Sequence, residues 1–124
     1  MTRKMTPVDV AKYKGILLHL LDHLSGDIHE LEAETAQACR RARESSSDDV
    51  GEEILAVEFS FDLMERDENT VREVLAALER VNDGRYGRCE KCDHWIRRTR
   101  LKAIPHARCC IDCQRQVEAE VLEA

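Results

Sequence analysis

The sequence predicts a mostly α-helical protein: a long antiparallel coiled-coil hairpin that carries a small globular head with four paired cysteines and a short C-terminal helix. Three observations predict this fold: two segments with heptad-spaced apolar residues, a polar turn segment between them, and two Cys-x-x-Cys pairs near the end of the 124 residues. Charged residues make up 35% of the chain and aromatic residues 4%, which favours exposed helices over a large core. We expect residues 7–82 to form the hairpin and residues 83–124 the head.

The first helix is expected to begin at Thr6-Pro7, because Thr is a common N-cap and Pro suits the first helical position. Asp9 adds an acid to the first turn. Beyond it, small and apolar residues recur at steps of three and four, which places them on one face of a helix. This first stripe consists of Tyr13, Leu17, Leu20, Leu24, Ile28, Leu31, Thr35, Ala38 and Ala42. The first turns of this helix are expected to pack with the head.

A polar segment, residues 44–51, ends the first stripe and has the composition of a turn. We place the tip of the hairpin at about residues 45–51 and the start of the second helix near Glu52. The second stripe again has heptad spacing, with Glu68 as its one polar interruption. Its apolar members are Ile54, Val57, Phe61, Met64, Val71, Leu75 and Leu78. Two such helices joined by a short loop fold back on each other, since neither buries its stripe alone.

The two cysteine pairs are Cys89-x-x-Cys92 and Cys110-x-x-Cys113, separated by seventeen residues. Four thiolates at this spacing can surround one Zn²⁺ ion as a tetrahedron and leave no position for water. The sequence therefore predicts one structural zinc ion, held by all four cysteines. The alternatives are two disulfides or free thiols. The N-terminal residues lack the apolar core of an export signal, which argues against an oxidising compartment and for the cytoplasm.

Other reactive residues near the pairs have simpler interpretations. Cys109 is adjacent to Cys110 and could compete as a ligand, but Cys110-x-x-Cys113 mirrors the first pair. His94 and His106 flank the ligands and are interpreted as surface or neighbouring residues. No His/Asp pair lies near a nucleophile and the zinc ion has no open position, so we do not expect an enzyme.

Helices are expected on both sides of the cysteine segment. Asn82-Asp83-Gly84 is expected to end the second helix. A short final helix is predicted from Ile111 to Leu122, with Val117 and Val121 turned inward. No apolar run approaches the length of a membrane span, so no membrane association is expected.

The charge is distributed unevenly along the chain. The net charge is −6, yet residues 85–115 contain nine Lys/Arg and three acidic residues, a local balance of +6 that leaves −12 for the rest. The head therefore has a basic patch, formed by Arg97, Arg98, Arg100 and Lys102. Because nucleic acid would repel the acidic remainder, the distribution disfavours DNA wrapping and favours contact with a basic protein surface or channel.

Several of these features occur together in one known family. Tyr86-Gly87 before the first cysteine pair, Arg-Leu-x-Ala-x-Pro at residues 100–105, and Glu58-Phe59-Ser60 in the second helix resemble the DksA/TraR family. These are small zinc-finger regulators of bacterial RNA polymerase. The resemblance implies a monomer that inserts its hairpin into the secondary channel of the polymerase, changes the stability of promoter complexes through acidic tip residues, and reads no DNA sequence.

The tip departs from the family pattern Asp-x-x-Asp-x-Ala. Asp48 matches the first position, whereas Gly51 and Glu53 stand in place of the second Asp and the Ala. Asp49, Glu52 or Glu53 could supply the missing charge. We therefore assign partner binding at the tip to Asp48, Asp49, Glu52 and Glu53, with a solvated polar loop as the alternative.

Two further departures concern the head. Family members that bind the alarmone ppGpp jointly with polymerase use basic residues just before the proline and just after the last cysteine; here these are Ile104 and Gln114, and Glu73 stands where a Lys is expected. Phosphates need cationic neutralisation, so we expect weak or no dependence on ppGpp. Asp93 replaces a Gly of the family at a turn that needs positive φ, which Asp tolerates at modest cost.

Two other functions remain open from the sequence. One is a small nucleic-acid-binding zinc finger that uses the basic patch, and its affinity would fall steeply with salt. The other is an adaptor whose coiled coil binds a different partner and which has lost activity on polymerase. The alternative for the basic patch is a solvated face that meets an acidic protein surface.

Overall fold

The computed structural model describes residues 4–44 and 50–123. These ranges form four helices, α1 (Pro7–Glu44), α2 (Val50–Asp83), α3 (Arg98–Ala103) and α4 (Ile111–Glu123). They contain no β-strand, only an isolated antiparallel bridge between Arg88 and Trp95. The predicted mostly α fold, with two long helices and a cysteine-rich segment, is confirmed. None of the described helices has both the length and the apolar character needed to cross a membrane.

The chain divides into two compact units. The first, called the head unit, combines the residues up to Leu20 with those from Glu73 onward. The second, called the hairpin unit, runs from Leu21 to Arg72. The head unit therefore draws on both ends of the sequence, and it includes the first turns of α1 and the last turns of α2.

A capping box starts α1. The backbone N–H and the hydroxyl of Thr6 donate hydrogen bonds to a carboxylate oxygen of Asp9, and the N–H of Asp9 donates back to the Thr6 hydroxyl at 3.2 Å. These bonds satisfy donors that the first helical turn leaves free. The hydrogen bonds from Thr6, together with Arg98 at 3.0 Å, hold the pKa of Asp9 below its usual value. The predicted N-cap is confirmed.

The core of the head unit joins α1 and α2 to the segment around the cysteines. Tyr13 of α1 lies against Tyr86, with ring centroids 5.9 Å apart. The largest fully buried side chains of this unit are Leu17, Val74, Ile96, Leu101 and Cys89. Aromatic and aliphatic groups from α1, α2, α3 and the cysteine segment thus form the core of this unit.

In the hairpin unit, α1 buries the face that the sequence predicts. Leu24, Thr35 and Ala38 are buried, and Ile28 and Leu31 are half-buried. The Thr35 hydroxyl donates a 2.7 Å hydrogen bond to the carbonyl of Leu31, so a polar side chain is accommodated in the seam.

The predicted face of α2 is correct for one of its two rows. Val57, Met64, Val71 and Leu78 are buried or half-buried, as expected. The second predicted row, however, lies one position too far along the helix: Ile54, Phe61 and Leu75 have exposed fractions of 48%, 56% and 47%. The residues that turn inward instead are Glu53, Ser60, Asp67 and Val74.

Both choices of row keep a heptad spacing, so the spacing alone does not distinguish them, and the row richer in apolar residues was the wrong one. Near the tip the polar inward row is satisfied by an ion pair. Glu53 accepts from Arg41 of α1 at 3.2 Å.

The helix bounds agree with the sequence to within about two residues, including those of α4 (Ile111–Glu123). The second helix begins at Val50, two residues before the predicted start, and ends at Asp83, where Gly84 takes a φ of +73°. Val117 of α4 is half-buried as predicted. Val121 has an exposed fraction of 71%, so its predicted inward orientation is wrong. Residues 118–122 are all exposed, because α4 buries only its first turns.

Candidate metal centre

The four predicted ligands converge in the head unit. The Sγ atoms of Cys89, Cys92, Cys110 and Cys113 all lie within 4.8 Å of one another, and those of Cys92 and Cys110 are 3.8 Å apart. A tetrahedron with Zn–S bonds of about 2.3 Å has sulfur–sulfur edges of about 3.8 Å. The cluster therefore fits one zinc ion. With four protein ligands it leaves no position for substrate or water, so the ion is structural.

Backbone turns place the first pair. The N–H of Cys89 donates to the carbonyl of His94 at 2.8 Å, and the N–H of Asp93 donates to the carbonyl of Cys89 at 3.0 Å. The turn closes because Asp93 takes a φ of +62°, as the sequence predicts for this position. Arg88 supports it from outside, with its guanidinium 2.8 Å from the Asp93 carboxylate and 5.6 Å from the centre of the Trp95 ring.

A second tight approach precedes the pair at Gly87, whose φ is +90°. A Cβ atom here would lie 2.5 Å from the sulfur of Met5, which would have to move, and the positive φ itself favours glycine. The N–H of Ile96 donates to the Gly87 carbonyl at 2.7 Å, which fixes the segment after the pair.

The second pair is placed by hydrogen bonds from side chains. The Tyr86 hydroxyl donates to the carbonyl of Pro105 at 2.7 Å, and Arg100 donates to the carbonyl of Cys109 at 2.9 Å. The N–H of Glu90 donates to the carbonyl of Arg108 at 3.0 Å and so links the two knuckles directly. Cys113 then lies in the first turn of α4, which holds its sulfur toward the cluster.

The surroundings of the thiols differ. Burial raises the pKa of Cys89, but amide donors at Cys92, Cys110 and Lys91 outweigh it and lower that pKa to about 6. The pKa of Cys113 is raised, chiefly by its hydrogen bond with Cys110 and then by burial. The Cys89 thiol thus ionises readily, and a metal ion would supply the charge that Cys113 needs to lose its proton.

Cys109 is buried but is not part of the group of four sulfurs, and burial raises its pKa. His94 is exposed. His106 is half-buried, and burial lowers its pKa, which favours the neutral ring. These placements match a ligand set of four cysteines.

A buried ionic network beside the zinc site was missed from the sequence. Arg80, in the last turns of α2, has a side-chain exposed fraction of 4% and lies 3.6 Å from the carboxylate of Glu90. It also donates to the carbonyls of His106 and Ala107, both at 3.4 Å. The sequence pattern gave no signal for it, because Arg80 shares the face of Val74 and Ala77, whereas the predicted stripe passes through Leu75 and Leu78.

The basic patch does not form one free surface. Arg98 pairs with Asp9 at 3.0 Å and donates to the carbonyl of Lys4, while Arg100 is held by the carbonyl of Cys109. Both lie on α3, a helix that the sequence analysis did not predict. Arg97 and Lys102 are exposed.

The proposed tip residues are described only in part. Asp48 and Asp49 lie outside the described residues. Glu52 is exposed in the first turn of α2, and Glu53 is half-buried in its ion pair with Arg41. Of the two described acids, Glu52 is thus the more accessible to a partner.

The three positions connected with ppGpp line one cleft of about 430 Å³ in the head unit. Glu73 accepts a 2.6 Å hydrogen bond from Arg108, which also lines the cleft. Arg100 and Arg115 are further cationic groups in its lining, and Ile104 and Gln114 also line it.

Comparison with known proteins assigns the family. Residues 84–119 match the family described as prokaryotic dksA/traR C4-type zinc finger. General stress protein 16O of Bacillus subtilis is 31% identical over 107 residues, which cover 85% of this chain and 66% of that protein. The chain belongs to the DksA/TraR family. The RNA polymerase-binding transcription factor DksA of Escherichia coli is 38% identical over 63 residues, or 49% of this chain and 42% of DksA.

The fold extends over nearly the whole chain. The structure of transcription factor DksA2 from Pseudomonas aeruginosa superposes with a TM-score of 0.82 and 24% identity, covering 92% of this chain and 86% of DksA2. The chain thus has the fold of DksA-family regulators. The part of each curated relative that this chain matches is between 42% and 66% of that relative's length.

Proposed function

We propose that this DksA/TraR protein is a transcription regulator that binds RNA polymerase in the secondary channel and modulates initiation without reading DNA sequence. The observation that carries the proposal is the combination of the C4 zinc finger with a DksA2-like fold over 92% of the chain. A relative that shares 38% identity over 63 residues is named for its binding to RNA polymerase.

Electrostatics supports a protein partner for the hairpin unit. Residues 21–72 contain fifteen acidic and five basic residues, a net charge of −10. Such a surface is repelled by phosphate backbones and attracted to a basic protein channel. The acidic segment at residues 48–53 would then be presented to the polymerase, with Asp48, Asp49 and Glu52 as the available charges.

The zinc ion supports this role through structure rather than chemistry. Its coordination sphere is filled by cysteines, so the regulator acts by contact and not as an enzyme. We propose that the protein binds polymerase as a monomer.

We further propose that ppGpp has little or no influence on this regulator. A ligand with two diphosphate groups needs several free cations. In the cleft at Glu73, that carboxylate neutralises Arg108, and the guanidinium of Arg100 is already bound to a backbone carbonyl. Arg115 alone does not match two diphosphates.

The second candidate, a nucleic-acid-binding zinc finger, has less support. Two of its four proposed cations, Arg98 and Arg100, are engaged within the head unit. Phosphate contact would require them to leave these partners. A coiled-coil adaptor without activity on polymerase would have the same fold, and it would differ by not binding polymerase in the assay below.

The deciding experiment is a competition assay with zinc-loaded protein and bacterial core RNA polymerase. A Gre-type transcript-cleavage factor serves as the competitor for the secondary channel. We expect the two proteins to displace each other. Absence of binding at micromolar concentration, with zinc bound and helices folded, would favour the adaptor. Binding without competition would place the site elsewhere on polymerase, and binding to duplex DNA with a steep loss in salt would favour the zinc finger.

A further inference from the structure

An open groove of about 590 Å³ lies in the hairpin unit between residues 32–39 of α1 and residues 61–68 of α2. We call it the flank groove. We propose that the flank groove binds a basic segment of the partner protein, in which one apolar side chain is flanked by Lys or Arg. This inference rests on the proposed function, since it takes RNA polymerase as the partner, and it assigns recognition to the side of the hairpin in addition to its tip.

The interior of the flank groove is apolar. Met64 and Thr35 are buried at its base, with exposed fractions of 8% and 6%. The Thr35 hydroxyl is already bound to the carbonyl of Leu31, so the base offers no free donor. Phe61 forms part of the lining and keeps an exposed fraction of 56%. A half-exposed phenyl ring over an apolar base is the kind of surface that a partner's apolar side chain covers.

The rim of the flank groove is acidic. Glu32, Glu65 and Glu68 line it and are exposed, and none of the described residues that line it is basic. Within residues 4–44 and 50–123, these three carboxylates form no ion pair. Lys and Arg match such a rim, because their aliphatic stems pack on apolar surface while their charged ends reach carboxylates.

Charge also selects among the possible occupants. A second copy of this chain would bring another hairpin unit with fifteen acidic and five basic residues, which repels the first. Nucleic acid and anionic lipid are repelled for the same reason. A cationic protein segment is the occupant that the rim attracts and the apolar base accommodates.

Matched pairs of variants test the proposal. Phe61→Ala removes the lining ring, and Phe59→Ala removes a similarly exposed ring, with an exposed fraction of 64%, that does not line the groove. Glu65→Gln removes a rim charge, and its control is Glu58→Gln. We expect Phe61→Ala to weaken binding to core polymerase about tenfold, as for a central interface residue. Glu65→Gln should weaken it about threefold, and both controls should stay within about twofold. Circular dichroism verifies that each variant is folded.

The thiol of Cys39 provides an independent readout, because it lines the flank groove and is half-buried. Its rate of alkylation, followed by mass spectrometry on the zinc-loaded full chain, should fall on addition of polymerase. This inference would be overturned if polymerase bound the Phe61→Ala and Phe59→Ala variants with equal affinity and Cys39 stayed reactive in the complex. The proposed function would still stand. Failure of the unmodified protein to bind polymerase would remove both. Protection of Cys39 by higher concentrations of the protein itself would identify a second copy as the occupant and also overturn the inference.

Discussion

The buried guanidinium of Arg80 lies 3.6 Å from the carboxylate of Glu90 and so joins the last turns of α2 to the loop between the first two cysteines. The same guanidinium donates to two carbonyls in the segment before the second pair. One side chain of the helix therefore holds both knuckles of the zinc finger.

Replacing Arg80 is expected to weaken the head unit. Arg80→Met removes the donors of two carbonyls and should lower the free energy of unfolding by about 2–3 kcal/mol. Denaturant unfolding of the zinc-loaded protein measures this. Glu90→Gln is the control; it should cost less than about 1 kcal/mol, because Glu90 is partly exposed. Equal losses in the two variants would mean that the pair itself, and not the contacts to the carbonyls, matters.

Loss of one zinc ligand should affect the two units differently. We expect Cys89→Ser or Cys113→Ser to reduce the zinc content well below one ion per chain and to loosen the head unit, because a small domain depends on its metal. The helical signal of the hairpin should remain largely intact. Zinc analysis and circular dichroism measure the two effects. Loss of all helical signal would contradict a two-unit architecture.

The positive φ of Asp93 predicts a stabilising substitution. Asp93→Gly removes the steric cost of the left-handed region and should raise the free energy of unfolding by about 0.5–1 kcal/mol. The ion pair with Arg88 that it also removes is largely exposed and contributes little. Thermal unfolding with zinc present measures the shift. In the opposite direction, Gly87→Ala should destabilise the protein, because a Cβ there meets Met5. The explanation fails if both variants shift stability in the same direction.

Tyr86 should make stability dependent on alkaline pH. Its hydroxyl is buried against the carbonyl of Pro105, and burial raises its pKa well above the usual value of 10.0. The folded state thus keeps a proton that the unfolded state releases, so this contribution is complete below pH 10 and is lost as pH rises from there toward the folded-state pKa.

The matched variant is Tyr86→Phe. It should cost about 1 kcal/mol at pH 8, where the carbonyl of Pro105 loses its donor. The difference in free energy of unfolding between the two proteins should shrink above pH 10. A difference that stays constant from pH 8 to pH 11 would show that Tyr86 does not titrate in this range.

The acidic tip is expected to act after binding. Replacing Asp48 and Asp49 together by Asn should leave affinity for core polymerase within about threefold, since charges on a binding surface contribute mainly to association rates. The effect on transcription from a responsive promoter should fall to near the level without protein. An unchanged effect would rule out the tip mechanism and shift attention to Glu52.

The zinc site and the main architecture could be predicted because local patterns carry them. Ligand spacing, the helix stop at Gly84 and the stripe on α1 each depend on residues close in sequence. The inward row of α2 could not be predicted, because Ile54 and Phe61 satisfy the same heptad spacing as Glu53 and Ser60. Only the partner helix decides between the rows.

The basic patch shows a related limit. Four cations within six residues look like one surface in the sequence, but α3 turns Arg98 toward Asp9 and Arg100 toward the carbonyl of Cys109. Their partners lie far away along the chain or on the backbone. The role of Arg80 could not be predicted for the same reason, since its partners come ten to twenty-seven residues later.

The head unit combines residues 1–20 with residues 73–124, and this sets the order in which the protein folds during synthesis. The hairpin unit is continuous in sequence, so its helices can pair as soon as residue 72 has left the ribosome. The first turns of α1 must wait for the cysteine segment, which begins at Cys89, about seventy residues after Leu20. Contacts between segments this distant form late, because closing a long loop costs entropy first. Zinc binding is therefore expected among the last steps of folding. In a cell short of zinc, chains with a folded hairpin unit and an unfolded head unit would accumulate.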